Sequence, residues 1–137
     1  MAQNTSPIFT QTPSLGFGIM LGDANTSFDM STGISSSLFT AGASGSYINK
    51  IRFKPSGSTN ASVLRVFINN GGVTTTGANN VLYAELSVPS ITLSSTVAQN
   101  DFEIPFNIAI PANYRLFATT ATALGGGYDI VTVAGDY

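Results

Sequence analysis

The most regular stretch of the chain runs from Asp101 to Ala123, DFEIPFNIAIPANYRLFATTATA. In its first half Phe102, Ile104, Phe106, Ile108 and Ile110 alternate without a miss with Asp101, Glu103, Pro105, Asn107 and Ala109. Successive side chains leave a pleated backbone on opposite sides, so a period of two predicts a strand with one buried face. Those five apolar residues are the predicted core of that face. Pro111-Ala112-Asn113 then supplies turn chemistry, since proline fixes φ and asparagine tolerates the left-handed region. A second alternating run from Tyr114 to Ala121 predicts the return arm of a long hairpin.

The same alternation, read from the N-terminus, predicts further strands. Residues 1–14 are polar with Pro7 and Pro13, and read as an extended arm with a short strand around Ile8-Phe9. Leu15 to Leu21 alternates weakly, with Gly16 and Gly18 opposite Leu15, Phe17 and Ile19; glycine in a strand permits close approach by another backbone. Strands are expected near 26–30 and 36–40. Tyr47 to Lys54 predicts a strand with Tyr47, Asn49, Ile51 and Phe53 on one face and Ile48, Lys50, Arg52 and Lys54 on the other. Ala61 to Asn69 is nearly continuous in apolar residues, as expected of a strand covered on both faces. Asn70-Gly71-Gly72 opens a polar loop. Val81 to Val88 and Tyr128 to Val133 complete the set, with a Ser/Thr-rich connection from Pro89 to Asn100. About eight strands, turn signals every eight to twelve residues and no helical stretch predict an all-β fold. Its form is a two-sheet antiparallel sandwich, jelly-roll-like, with a single domain over residues 15–137.

Composition sharpens this picture. The chain has 137 residues, enough for one domain, and 43% are hydrophobic. Only 9% are charged, against about 25% in ordinary domains. Sixteen Ser, sixteen Thr and eleven Asn stand in their place, residues suited to turns and polar sheet faces rather than helix interiors. Such a surface suits a protein destined for an assembly or an extracellular setting. Cys, His and Trp are absent, which excludes disulfides, a Cys/His zinc site and Cys/His nucleophiles. A net charge of −2 gives no electrostatic footprint for nucleic acid. No apolar run approaches the roughly 20 residues of a membrane helix, and MAQNTSPIFTQT lacks the basic and apolar regions of a signal peptide. A soluble product with no nucleic-acid or membrane partner is expected.

Lys50, Arg52 and Lys54 carry three of the five basic residues on one strand face. They are a candidate docking stripe for an acidic partner, or a solvated or charged edge that resists aggregation. Asp101 and Glu103, with Glu85 on a neighbouring strand, raise acid–base chemistry or calcium binding; i,i+2 spacing on an exposed face fits solvated acids that pair with the basic stripe. Neither glycine run opens a helix after a strand, so neither cradles a phosphate. Asn4, Asn25 and Asn60 each begin an Asn-x-Ser/Thr triplet, which chance explains in so Asn- and Ser-rich a chain. Five tyrosines offer surfaces for sugars, or ordinary packing. No enzyme activity, metal or cofactor is expected.

The segments GSYINKIRFKPSGSTNASVLRVFINNG and IPFNIAIPANYRLFATT, with the closing VAGDY, together resemble small virion proteins of tailed bacteriophages, in particular jelly-roll head decoration (cement) and related auxiliary capsid proteins. The likeness spans about two thirds of the chain, from Gly45 to Tyr137. It implies a non-enzymatic structural protein, often a homotrimer, bound to the outer surface of the head where major capsid subunits meet. Made in the host cytoplasm, it would reside in the virion. Similar sandwiches in tails and fibres imply the other reading, a module that recognises a host-surface glycan. Ile8 and Phe9 are a further expected contact: an arm without periodicity has no need of them in solvent, so residues 1–14 are expected to pack on another copy or on the capsid, the alternative being that Ile8 and Phe9 cover the domain's own sandwich.

Overall fold

Strands form where the alternation is clearest. In the computed structural model, which describes residues 9–20 and 23–137, they are β1 (Thr12–Met20), β2 (Ser36–Thr40), β3 (Ser46–Pro55), β4 (Ser62–Asn69), β5 (Asn80–Val88), β6 (Phe102–Ile110), β7 (Arg115–Thr120) and β8 (Tyr128–Asp136). All strand pairs are antiparallel. The first sheet has the order β1-β8-β3-β6 and the second β2-β7-β4-β5. That order is the jelly roll. It is one long ribbon in which β4 pairs β5, β3 pairs β6, β2 pairs β7 and β1 pairs β8, wrapped so that its two arms alternate between sheets. Contacts between β3 and β8 and between β4 and β7 close the two sheets.

This topology overturns the expected hairpin at 101–123. β6 pairs with β3 in one sheet, whereas β7 lies between β2 and β4 in the other. The turn chemistry is present: Asn113 takes φ 67° and the Tyr114 amide donates to the Pro111 carbonyl at 3.3 Å. The turn carries the chain around a corner of the sandwich rather than back along the same sheet. Pairing between β6 and β7 would leave both apolar faces on one side of one sheet; crossing over lets them face each other.

Between the sheets lies the core. Ile48, Ile51, Phe53, Leu64, Val66, Leu116, Ala118, Tyr128 and Ile130 are almost wholly enclosed, and removing each Val, Leu, Ile or Phe side chain among them from water contributes about 1.5–3 kcal/mol. From β6, Ile104, Phe106 and Ile110 are buried, and Phe102 and Ile108 pack against the same cluster while half-buried. Phe106 stacks on Tyr83 across the sandwich at 4.3 Å between ring centroids.

The face assignment of β3 needs correction. Ile48, expected beside Lys50, is fully buried, while Asn49 is exposed and Tyr47 half-buried. The cause is a register shift between Ile48 and Lys50 in both of its pairings. A bulge inserts an extra residue and resets which side the chain presents. Opposite Asn49, β6 spends two residues, Phe106 and Asn107, and Asn107 sits at φ 52°.

No strand forms at 26–30. Residues 24–34 instead lie over the outer face of the second sheet. Met30 packs there on Phe67, Phe117 and Leu82. Asn25, buried, donates its side-chain amide to the carbonyls of Thr32 and Ile34, and its backbone amide reaches the Thr120 carbonyl at 2.7 Å. Arg65 is clamped by Glu85 at 2.9 Å and lies over the Phe28 ring at 4.1 Å. Ser27 and Ser31 both donate to Asp29, which holds its carboxyl down to about 2. This cover explains why β4 and β7 are buried on both faces. β1 begins at Thr12, three residues inside the expected arm, and Phe9 is outside any strand. Ile8 lies outside the described residues.

Candidate assembly surface

The first sheet presents its outer face to solvent, and its register arranges that face in rows. Leu15, Val133, Lys50 and Pro105 form one row, and Phe17, Val131, Arg52 and Glu103 the next. Ile19, Asp129 and Lys54 begin a third. The β1 side is therefore apolar and the β3–β6 side charged.

On the charged side, Lys50, Arg52 and Lys54 leave the outer face of β3 and meet acids from the β6 side. Lys50 Nζ lies 3.0 Å from Glu103 Oε1 and Lys54 Nζ 2.9 Å from Asp101 Oδ1; Arg52 also pairs with Asp101. Hydrogen bonds from Lys54 and then Arg52 hold the Asp101 carboxyl below the usual carboxylate range. Each of these pairs is partly exposed, a setting in which water and salt screen an ion pair and leave it contributing little to stability. The basic stripe thus has its counter-charges within the same chain. Glu85 does not join Asp101 and Glu103: it belongs to the second sheet and pairs with Arg65. Among the described residues no three acidic groups gather as metal ligands would.

On the apolar side, the glycines decide the geometry. Gly16 and Gly18 point inward, where a Cβ on Gly16 would collide with the Leu38 carbonyl and one on Gly18 would come within 2.9 Å of the Ser37 carbonyl. β1 can lie this close to β2 only because those positions lack side chains. Leu15, Phe17 and Ile19 are consequently turned outward, exposed by 57%, 75% and 62%. The alternation was visible in the sequence, yet it does not say which face is inside.

Phe9, 82% exposed, stands at the Tyr47 end of the same face. With Thr10, Tyr47, Ala109 and Tyr137 it lines an open, largely apolar groove. Tyr47 and Asn49 both reach Asn107 Oδ1 at 3.4 Å. Lys50, Arg52 and Lys54 are brought together as a stripe, and Phe9 lies beyond its end rather than within it. The apolar residues of β1 were not among the expected contacts. Of the Asn-x-Ser/Thr triplets, that at Asn25 is closed to modification by its burial. Among the described residues no helix is long and apolar enough to cross a membrane.

No family model matches the chain, and no curated protein matches it. Among solved structures, a chain from the crystal structure of the T13 IBDV viral particle matches with 16% sequence identity and a TM-score of 0.41. The match covers 100% of this chain and 35% of that one, so this chain spans about a third of its length. The jelly-roll order is read from the strand pairing of this chain and owes nothing to that likeness.

Proposed function

We propose that this chain is a structural virion protein, a decoration (cement) protein that binds the outer surface of a tailed-phage head and stabilises it. The observation that carries this reading is the outer face of the first sheet. It is apolar along β1, with Asp129 of β8 beside Ile19, and ion-paired within the chain at the other edge, a surface suited to burial against another protein. The eight-stranded jelly roll supports it, as does the resemblance of Gly45–Tyr137 to phage head decoration proteins. In this reading the protein acts as a homotrimer, the arrangement that resemblance implies, with the major capsid protein as partner and the virion surface as its location. In this reading its role is structural rather than catalytic.

Cosedimentation with emptied, expanded capsids tests the proposal. Saturable binding, with capsids that then resist heat or chelation better, is the expected result. Binding to host cells or isolated surface glycans without binding to capsids would overturn it. That result would favour a tail or fibre module, a reading for which the groove of Phe9, Tyr47 and Tyr137 beside the amides of Asn49 and Asn107 supplies stacking rings and polar partners.

A further inference from the structure

We infer that the outer edge of β1, which no described strand pairs, is a two-fold interface through which one copy of this chain pairs with a second. The contact would be an antiparallel β1–β1 ladder centred on Phe17. This rests on the chain's own edge chemistry and holds whether or not the capsid reading does.

An edge strand exposes a row of unsatisfied backbone groups, and soluble proteins blunt such edges with charge, proline, bulges or brevity. β1 runs from Thr12 to Met20 with no charged residue, and its only proline, Pro13, is next to its start. It pairs with β8 without a register shift. The opposite edge of the sheet, β6, carries Glu103, Pro105 and a bulge at Asn107. A head-to-tail contact between β1 of one copy and β6 of another would meet all three defences. Two copies of β1 meet none.

The sequence of β1 is also complementary to itself. With Phe17 on the axis, Leu15 falls opposite Ile19 of the second copy, Gly16 opposite Gly18, and Ser14 opposite Met20. Directly opposed residues in an antiparallel pair point to the same face. The outward stripes therefore merge into one apolar band, flanked on each side by Val133 and Val131 of β8 and, at its end, by Asp129. On the inner side only glycines meet at the centre, so neither copy disturbs the close approach of β1 to the Leu38 carbonyl. Charge selects the same occupant. Lys50, Arg52 and Lys54 are already answered by Asp101 and Glu103, so the basic stripe recruits no acidic partner, and Asp129, opposite Ile19, is the outward charge beside β1 and falls at the end of the paired stretch, away from Phe17. Such a contact is isologous and cannot close a ring of three; it forms a dimer or joins two trimers.

Mass measurement of the purified full chain at tens of micromolar, with three single variants, tests this. The wild type is expected as a dimer or hexamer. Phe17→Lys sets two lysines opposite each other, where like charges repel, and should weaken the two-fold contact at least about tenfold while leaving the melting temperature of the separated chain unchanged. The chain has no cysteine, so Phe17→Cys provides a single probe. Cross-strand neighbours about 4.5–5.5 Å apart at Cα fall within disulfide range, and mild oxidation should link two copies rapidly. Val73→Cys, at a comparably exposed position in the β4–β5 loop, should not link. A wild type found only as monomer or trimer overturns the inference, as does Phe17→Cys cross-linking no faster than Val73→Cys. Loss of capsid binding by Phe17→Lys with no change in the mass of the free protein would assign the stripe to the capsid instead, and would equally overturn it.

Discussion

Strands β1 and β6 close the two edges of the same sheet, and they divide their polar and apolar residues in opposite ways. β6 sends its large apolar residues inward, three of them fully into the core, and keeps acid, proline and asparagine outside. β1 sends glycine inward and Leu15, Phe17 and Ile19 outward. Both strands alternate with a period of two. What separates them is the distance to the opposite sheet. Over β6 the sandwich is wide enough for phenylalanine and isoleucine; at Gly16 and Gly18 of β1 the backbone of β2 lies so near that only glycine fits, and Met20 at the end of the strand is the first large β1 side chain to enter the core. Periodicity therefore identifies a strand, while side-chain volume against the local gap decides which face is core.

The largest expected effect lies on the inward face of β6. Phe106→Ala should cost about 3–5 kcal/mol, measured by urea denaturation. A loss under about 1 kcal/mol would show that β6 is not a core strand. Next comes the inward face of β1: Gly16→Val, which drives side-chain atoms into the Leu38 carbonyl, should cost about 2–3 kcal/mol. Its equilibrium unfolding would match the wild type if β1 did not pack on β2. At the bulge that guards β6, Asn107 occupies the left-handed region, which costs a residue such as alanine roughly 1–2 kcal/mol. Asn107→Ala should lose stability in that range, and Asn107→Gly should retain it. An outward residue of β1 should matter least to the single chain, and Phe17→Lys at low protein concentration should shift stability by no more than about 0.5 kcal/mol.

The ion-paired side adds a pH dependence. Asp101 is held below its ordinary value when folded, so the unfolded chain binds its proton first as pH falls. Its contribution is complete above about pH 4, the ordinary range of an aspartate, and is lost as pH falls through the lower folded value. Asp29, held at about 2 by Ser27 and Ser31, behaves in the same way in the loop over the second sheet. Denaturation midpoints followed from pH 5 to pH 2 should decline, more gently in Asp101→Asn and in high salt, which screens exposed pairs. A midpoint that rises with acidification would contradict the assignment.

Much of the fold was legible from residue order alone. The unbroken alternation of Phe102 to Ile110 marks a one-sided strand, the apolar run Ser62–Asn69 marks one covered on both faces, and the near absence of charge marks an all-β chain with polar neutral surfaces. Two sheets follow, because a strand with one apolar face must bury it against another. Tertiary structure alone decided the rest. Whether Pro111-Ala112-Asn113 returns the chain along its own sheet or carries it to the other depends on which crossing lets both apolar faces meet, and a local turn does not encode that. The bulge at Asn49 puts Ile48 inside and Tyr47 outside, since register is a property of three adjacent strands. Residues 26–30 look like strand by their spaced apolar residues, yet the segment they lie in covers β4 and β7, where Met30 packs on Phe67 and Phe117. The candidate assembly surface followed the same division. The basic residues of β3 could be placed on one face from their spacing, but their acidic partners, and the outward turn of Leu15, Phe17 and Ile19, arise from contacts between segments far apart in the chain.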